Sequence, residues 1–191
     1  MSGEKNEKHL NVAHIESCSH IYGPGKRFVV WVQGCSLACK GCWNKQMWSH
    51  KPNLLIHRKA LLEKILKTEK IIGLTLLGGE PLQQPENCLW LLKHVKKAGL
   101  DTMVYTGYNK QELDANEQLK QIYNLADILI TERYIEELRN TNLQWRGSEN
   151  QIILFPTGYY SAEIIQEKTQ VEVIIDEFGR TTYLGYPDGI I

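Results

Sequence analysis

Hydrophobic positions along this chain alternate between two rhythms. Short β-rich runs at Phe28–Gln33 (FVVWVQ), Ile71–Leu77 (IIGLTLL), Thr102–Tyr105 and Asp127–Ile130 (DILI) predict buried strands. Helical spacing fills the intervals between the later ones. Arg58–Lys70 carries Leu61, Leu62, Ile65 and Leu66 on one face, and Glu86–Ala98 reads as a helix closed by Gly99. Lys110–Leu125 starts behind Asn109 with Glu112 three residues on, the pattern of a capping box. Ahead of the first run, residues 1–20 show little periodicity and predict a flexible start and a short strand near Asn11–Ile15, followed by turn chemistry at Tyr22–Arg27 (YGPGKR). Gln151–Phe155 predicts a fifth strand. Val171–Ile175 and Thr181–Leu184 flank Asp176–Arg180 (DEFGR) and predict a β-hairpin.

Strands alternating with helices place the chain in the α/β class, with a mostly parallel sheet and helices outside it. A full eight-unit barrel needs about 250 residues. Four or five units in 191 residues therefore predict an incomplete, open β/α barrel or an open sheet of about five parallel strands, plus the C-terminal hairpin. Such folds bind ligands at the C-terminal ends of their parallel strands. The segments that follow the strands are the cysteine-rich loop from Gly34, Gly78-Gly79-Glu80-Pro81, Thr106-Gly107-Tyr108 and Thr131-Glu132-Arg133-Tyr134. All four are expected on one rim.

Composition narrows the function. Twenty-two Lys and Arg balance 22 Asp and Glu, so the basic footprint of a nucleic-acid binder is missing and nothing draws the chain to anionic membranes. No apolar run of about 18 residues exists to span a bilayer, and Met1–Leu10 is polar rather than a signal peptide. A cytoplasmic protein acting on small molecules or protein partners is expected, where thiols stay reduced and clustered cysteines point to metal ligation or catalysis. Three of the five cysteines cluster: Cys35, Cys39 and Cys42 form C-x3-C-x2-C, while Cys18 and Cys88 stand alone and read as structural.

Three thiolates at this spacing suit zinc or an iron-sulfur cluster. Zinc needs a fourth ligand, which His50 or His57 could supply, although the second ligand pair usual in structural zinc sites is absent. A cubane on three cysteines instead leaves one iron open to a chelating ligand.

The residues around the cysteines sharpen the choice. C-x3-C-x2-C after the first buried strand resembles the radical S-adenosylmethionine (SAM) superfamily. GPGKR at Gly23–Arg27, the GC-x3-C-x-GCWNK-x2-W stretch from Gly34 to Trp48, GLTLLGGEPL at Gly73–Leu82, YTGY at Tyr105–Tyr108 and WRGSENQ at Trp145–Gln151 resemble, in order, the anaerobic ribonucleotide reductase activating proteins. Pyruvate formate-lyase activating enzymes are more distant relatives. The resemblance covers about Tyr22–Gln151. It implies a radical-SAM core over 22–155, an N-terminal extension over 1–21 and a C-terminal extension over 156–191.

It further implies a 4Fe-4S cluster on Cys35, Cys39 and Cys42 whose open iron chelates SAM, with Gly78, Gly79 and Glu80 at the methionine end and Gly41, Cys42 and Trp43 along the adenosine. Reductive cleavage of SAM would yield a 5′-deoxyadenosyl radical that takes hydrogen from a glycine of a partner enzyme, with a flavodoxin or ferredoxin as electron donor. The residue chemistry agrees: two glycines let backbone approach a ligand, Glu80 can accept from an ammonium, and Trp43 can cover a planar base.

Plainer readings stand beside these. GGEP is also a strand-to-helix turn with Pro81 near a helix start. Tyr105, Tyr108 and Trp48 suit packing, and Arg133 and Arg146, candidates for contacting a carboxylate or a partner, suit a solvated surface as the plainer reading. A SAM enzyme acting on a small molecule or peptide is one alternative, and a non-catalytic zinc or iron-sulfur module is another. Cys18 and Cys88 are too few for a second cluster.

Overall fold

In the computed structural model, residues 8–166 and 170–185 are described; the expected flexible start at 1–7 lies outside them. The chain runs β1 (His9–Ser19), β2 (Arg27–Val32), β3 (Leu54–His57), α1 (Arg58–Lys67), β4 (Gly73–Gly78), α2 (Pro85–Lys97), β5 (Asp101–Tyr105), α3 (Lys110–Asp114), α4 (Glu117–Leu125), β6 (Ile128–Thr131), β7 (Ile152–Leu154), β8 (Val171–Ile175) and β9 (Thr181–Gly185). The first seven strands form one open sheet in the order β3-β1-β2-β4-β5-β6-β7, and β8 and β9 form the expected hairpin.

Four neighbouring strands, β2, β4, β5 and β6, run parallel. The expected count of about five is corrected by β7, which pairs antiparallel with β6. Between β6 and β7 the chain forms only a 3-10 turn at Glu136–Leu138, and without a crossover helix a strand returns antiparallel. The strand expected at Asn11–Ile15 is longer, because β1 pairs with both β2 and β3. The single helix expected at Lys110–Leu125 is two: the Asn116 side chain accepts from the N–H groups of Gln118 and Leu119 and so starts α4 afresh. The Asn109–Glu112 capping box of α3 is present.

Period-two alternation separates the two faces of the sheet. Phe28, Val30, Val32, Leu74, Leu76, Val104 and Leu129 pack against Leu61 and Ile65 of α1, Cys88, Leu91, Leu92 and Val95 of α2 and Ile122 of α4. Val29, Trp31 and Leu77 face the other way, toward Ile174 and Leu184 of the hairpin. Met103, Ile128 and Ile130 on that same side meet Trp145, Tyr160 and Ile164. The chain beyond β7 thus covers a sheet face that would otherwise expose apolar side chains.

At the N-terminal ends of the parallel strands sits a buried ion pair. The last residue of GPGKR, Arg27, is fully buried with its guanidinium 2.5 Å from Asp101. Its N–H groups bond to Thr75 Oγ1 (2.7 Å) and to the carbonyls of Leu74 (3.0 Å) and Pro24 (3.2 Å). Tyr160 donates to the second Asp101 oxygen at 2.9 Å, and Thr157 donates to Asp127 at 2.6 Å, so the chain after β7 is tied to the same end of the sheet. Removing one partner of a buried pair leaves an uncompensated charge, at a cost of about 3–5 kcal/mol. Arg27→Met is expected to lower the free energy of unfolding by that amount in urea titrations, and Tyr160→Phe by about 1 kcal/mol.

Candidate functional site

The opposite, C-terminal ends of the parallel strands open into one cavity. Its wall includes Cys35, Cys39, Cys42, Trp43 and Asn44 after β2, Gly78, Gly79 and Glu80 after β4, Tyr105, Thr106 and Gly107 after β5, and Glu132 and Tyr134 after β6. The four segments therefore share one rim, joined by Trp145 and Gln151 and by the hairpin root at Gln170 and Gly185.

The cysteine loop is pinned at its root. Gly34 and Cys35 donate N–H bonds to the carbonyls of Met47 (2.8 Å) and Trp48 (3.0 Å), and Gly34 in turn accepts from Glu80 N–H at 2.8 Å. Gly79 N–H bonds to Val32 O at 2.8 Å. A Cβ on Gly79 would stand 2.5 Å from the Gly34 carbonyl oxygen, a backbone atom that cannot swing aside. Gly79 is therefore needed for close approach of the two loops to each other. At the far side of the loop, Gly41 takes a left-handed φ of 71° and turns the chain between Lys40 and Cys42.

All three clustered thiols line the cavity, and burial pushes those of Cys35 and Cys39 up. Among the described residues, no three His, Cys, Asp or Glu side chains converge as a single-ion site does. Asn44 ties the loop down: its N–H approaches Cys42 Sγ at 3.4 Å, its side-chain amide donates to Gly78 O at 3.4 Å, and its carbonyl accepts from Met47 N–H at 2.8 Å. Gln83 bridges Ser36 N–H (3.0 Å), Ser36 Oγ (2.8 Å) and Tyr108 OH (3.3 Å).

The Glu80 carboxylate serves the protein itself. It is almost fully buried and accepts from Leu82 N–H (2.9 Å), Thr106 Oγ1 (2.9 Å) and Gly107 N–H (2.8 Å), so it locks the loop after β4 to the loop after β5. Burial pushes its pKa up to about 7 against the pull of these donors.

One expected site residue stands apart from the rest. Gly41 lines a shallow outer cleft with Cys42, Trp43, Tyr134, Glu136 and Arg139, not the main cavity. Trp43 borders both spaces, and the Arg139 guanidinium lies 4.8 Å from its ring centroid. His50 packs beside Gly34, its ring 2.7 Å from where a Cβ on that glycine would stand, and does not line the cavity.

Several residues whose role the sequence left open build the rim. Arg133 is no free surface charge: it pairs with both Glu112 oxygens (2.5 and 2.8 Å) and donates to Gly107 O at 3.0 Å. The RGSENQ segment also acquires a physical role. Gln151 accepts from Gly147 N–H (2.7 Å) and Ser148 N–H (3.2 Å) and donates to Glu132 O (3.3 Å), while Asn150 donates to Arg133 O at 2.8 Å. This segment braces the loop after β6 and sets Trp145 in the cavity wall, where its indole N–H has no hydrogen-bond partner among the described residues. Amide side chains that reach across loops leave no periodic signal, which is why sequence spacing did not expose them.

Comparison with known proteins sets this geometry in a family. Residues 21–154 match the model described as "4Fe-4S single cluster domain". The anaerobic ribonucleoside-triphosphate reductase-activating protein of Pasteurella multocida is 39% identical over 159 residues, covering 78% of this chain and 100% of the relative. The chain belongs to the anaerobic ribonucleoside-triphosphate reductase-activating protein family. Another member, from Haemophilus influenzae, is 38% identical over 142 residues, covering 70% of this chain and 90% of its own. One from Enterobacteria phage T4 is 34% identical over 148 residues, covering 74% and 92%. The solved structure of QueE from Escherichia coli is 15% identical, with a TM-score of 0.39 over 56% of this chain and 57% of its own, too remote to bear on the fold. The family's motifs, from the GPGKR turn to RGSENQ, all lie inside the matched 21–154 span, and the hairpin lies beyond it. No helix among the described residues is long and apolar enough to cross a membrane.

The central position of Glu80 carries a testable consequence. Glu80→Ala strands three buried donors and is expected to lower stability by about 2–4 kcal/mol. Chemical denaturation measures this, and an unchanged midpoint would show that the two loops hold without the carboxylate.

Proposed function

We propose that the protein is a radical SAM activase that carries a 4Fe-4S cluster and generates a glycyl radical in an anaerobic ribonucleoside-triphosphate reductase. The observation that carries the reading is that three thiols and a Gly-Gly turn, from successive strand ends, face one cavity. The donor set suits the group: Cys35, Cys39 and Cys42 would hold the cluster through thiolates, and three ligands leave a fourth iron open. When bound and reduced, the cluster supplies the electron that splits the sulfonium of SAM.

The chain's own residues do the rest by positioning. The backbone of Gly78 and Gly79, with Gly79 fixed to Val32, would border the methionine end of SAM, and buried Glu80 keeps that turn against the loop after β5. Cys42 and Trp43 would lie along the adenosine, and Gly41 contributes through the left-handed turn that sets Cys42 in the wall. A flavodoxin or ferredoxin supplies the electron. The reading includes a cytoplasmic location, where the thiols stay reduced.

Anaerobic reconstitution, dithionite reduction and low-temperature EPR with and without SAM test this, followed by chromatography for 5′-deoxyadenosine. The wild-type protein is expected to give a reduced 4Fe-4S signal that changes shape with SAM. Cys35→Ala, Cys39→Ala and Cys42→Ala are each expected to abolish that signal and SAM cleavage. Cys18→Ala and Cys88→Ala are expected to keep both, since neither lines the cavity and Cys88 is buried in the helical core, where it donates to Pro81 O at 3.1 Å. Full activity in any one of the first three variants would overturn the ligand assignment.

A further inference from the structure

The cysteine loop is held at its two ends by bonds of different kinds. At the root, the N–H groups of Gly34 and Cys35 bond to the carbonyls of Met47 and Trp48, neutral backbone contacts that offer salt no net charge to screen. The far end, from Cys39 to Cys42, is held by charge. Lys40 Nζ reaches Glu136 at 3.2 Å and Glu137 at 2.9 Å, both in the 3-10 turn after β6. The Glu136 side chain lies against Gly41, where a Cβ would stand 2.6 Å from its carboxylate oxygen.

The turn that grips the loop belongs to a self-braced flap. Leu138 O accepts from Glu149 N–H at 2.9 Å, Gly147 O accepts from Asn140 N–H at 3.1 Å, and Ile135 N–H donates to Ser148 Oγ at 3.2 Å, so residues 135–149 fold back on themselves. The grip is weaker than the flap. The side chains of Lys40, Glu136 and Glu137 are 75%, 43% and 66% exposed, and ion pairs in water contribute little and are screened by salt. Between flap and loop runs the outer cleft. Of the three clustered cysteines, only Cys42 borders that cleft as well as the main cavity.

We propose that Lys40 is a releasable latch between the cysteine loop and the flap. When its pairs with Glu136 and Glu137 open, the outer cleft widens and Cys42 is reached from outside without passage through the main cavity, while the root of the loop stays fixed. Cluster iron gains a route in and out at Cys42. That route rests on the cluster reading above; the latch itself does not.

The test is the rate of alkylation by iodoacetamide at each cysteine of the full-length apoprotein, read by mass spectrometry under anaerobic conditions. At low salt, Lys40→Met is expected to alkylate at Cys42 about threefold faster than wild type, since the open fraction rises by the small worth of exposed pairs, with the rate at Cys35 unchanged. Raising salt from about 0.01 M to about 1 M, where the screening length falls from about 30 Å to about 3 Å, is expected to bring wild type to the rate of the variant. Lys40→Arg keeps the charge and is expected to behave as wild type. So is Arg180→Met, which breaks the exposed pair with Asp176 (2.6 Å) at the hairpin turn. A wild-type rate at Cys42 in Lys40→Met overturns the latch, as does an equal rise at Cys35 or in Arg180→Met. Should Lys40→Met melt early, the salt dependence of wild type, expected at Cys42 and not at Cys35, decides in its place, and its absence overturns the latch. Iron release from the reconstituted cluster to a ferrous chelator is expected to follow the same order, and equal release at unequal alkylation overturns the iron route. Wild-type protein that takes up no 4Fe-4S cluster would defeat the cluster reading and leave the latch to the alkylation rates.

Discussion

The site depends on the contact between two backbones. Val32 and Gly34 accept from Gly79 and Glu80, both at 2.8 Å, and the missing Cβ of Gly79 is what lets the strands end this close together. Neighbouring parallel strands lie about 4.8 Å apart, so loops leaving their ends diverge unless something holds them. Here the root of the cysteine loop and the Gly-Gly turn are hydrogen-bonded as though the sheet ran one step further. The thiols and the turn consequently keep a fixed relation, and a ligand bridging them meets a pre-formed wall.

From that contact, order spreads around the rim by polar side chains. Glu80 takes the loop after β5, Arg133 ties that loop's Gly107 carbonyl to the loop after β6, and Asn150 and Gln151 take the carbonyls of Arg133 and Glu132. Each link satisfies a backbone group that a buried loop would otherwise leave orphaned. The rim is thus a chain of hydrogen-bonded loops, and it meets the need of a reaction centre for side chains held within fractions of an ångström.

How far the sequence revealed this depends on the kind of signal. Elements set by local periodicity were legible: β2, β4, α2, β5, β6 and the hairpin fall within two residues of their expected bounds, and the crowding of the segments after the parallel strands follows from strand-end geometry alone. The cysteine loop and the GGE turn, singled out by their sequence, line the one cavity. Illegible were features decided by distant partners. The direction of β7 depends on a connection without a helix, β3 exists because β1 offers an edge, and the break between α3 and α4 turns on one cap at Asn116. Arg133, which reads as a solvated charge by composition, is claimed by Glu112. The reverse holds for Arg27, whose burial follows only once Asp101 and Thr75 are brought to it by the sheet.

The two ends of the parallel strands divide stability from chemistry. At the N-terminal ends, Arg27, Asp101, Thr75 and Tyr160 form a closed set in which the charges answer each other, and the chain after β7 is fastened there through Tyr160 and Thr157. At the C-terminal ends, the cavity wall holds the three thiols and Trp145, whose buried indole N–H has no hydrogen-bond partner among the described residues. Such groups oppose folding, since a buried polar atom without a partner carries a cost. A protein holds them in place only where the surrounding structure is over-determined. The C-terminal segment supplies that excess: fastened at the bottom by its tyrosine and threonine, it covers the apolar sheet face with Ile164, Ile174 and Leu184 and returns to the mouth at Gly185. An open sheet can thus keep its strand ends accessible without exposing its core.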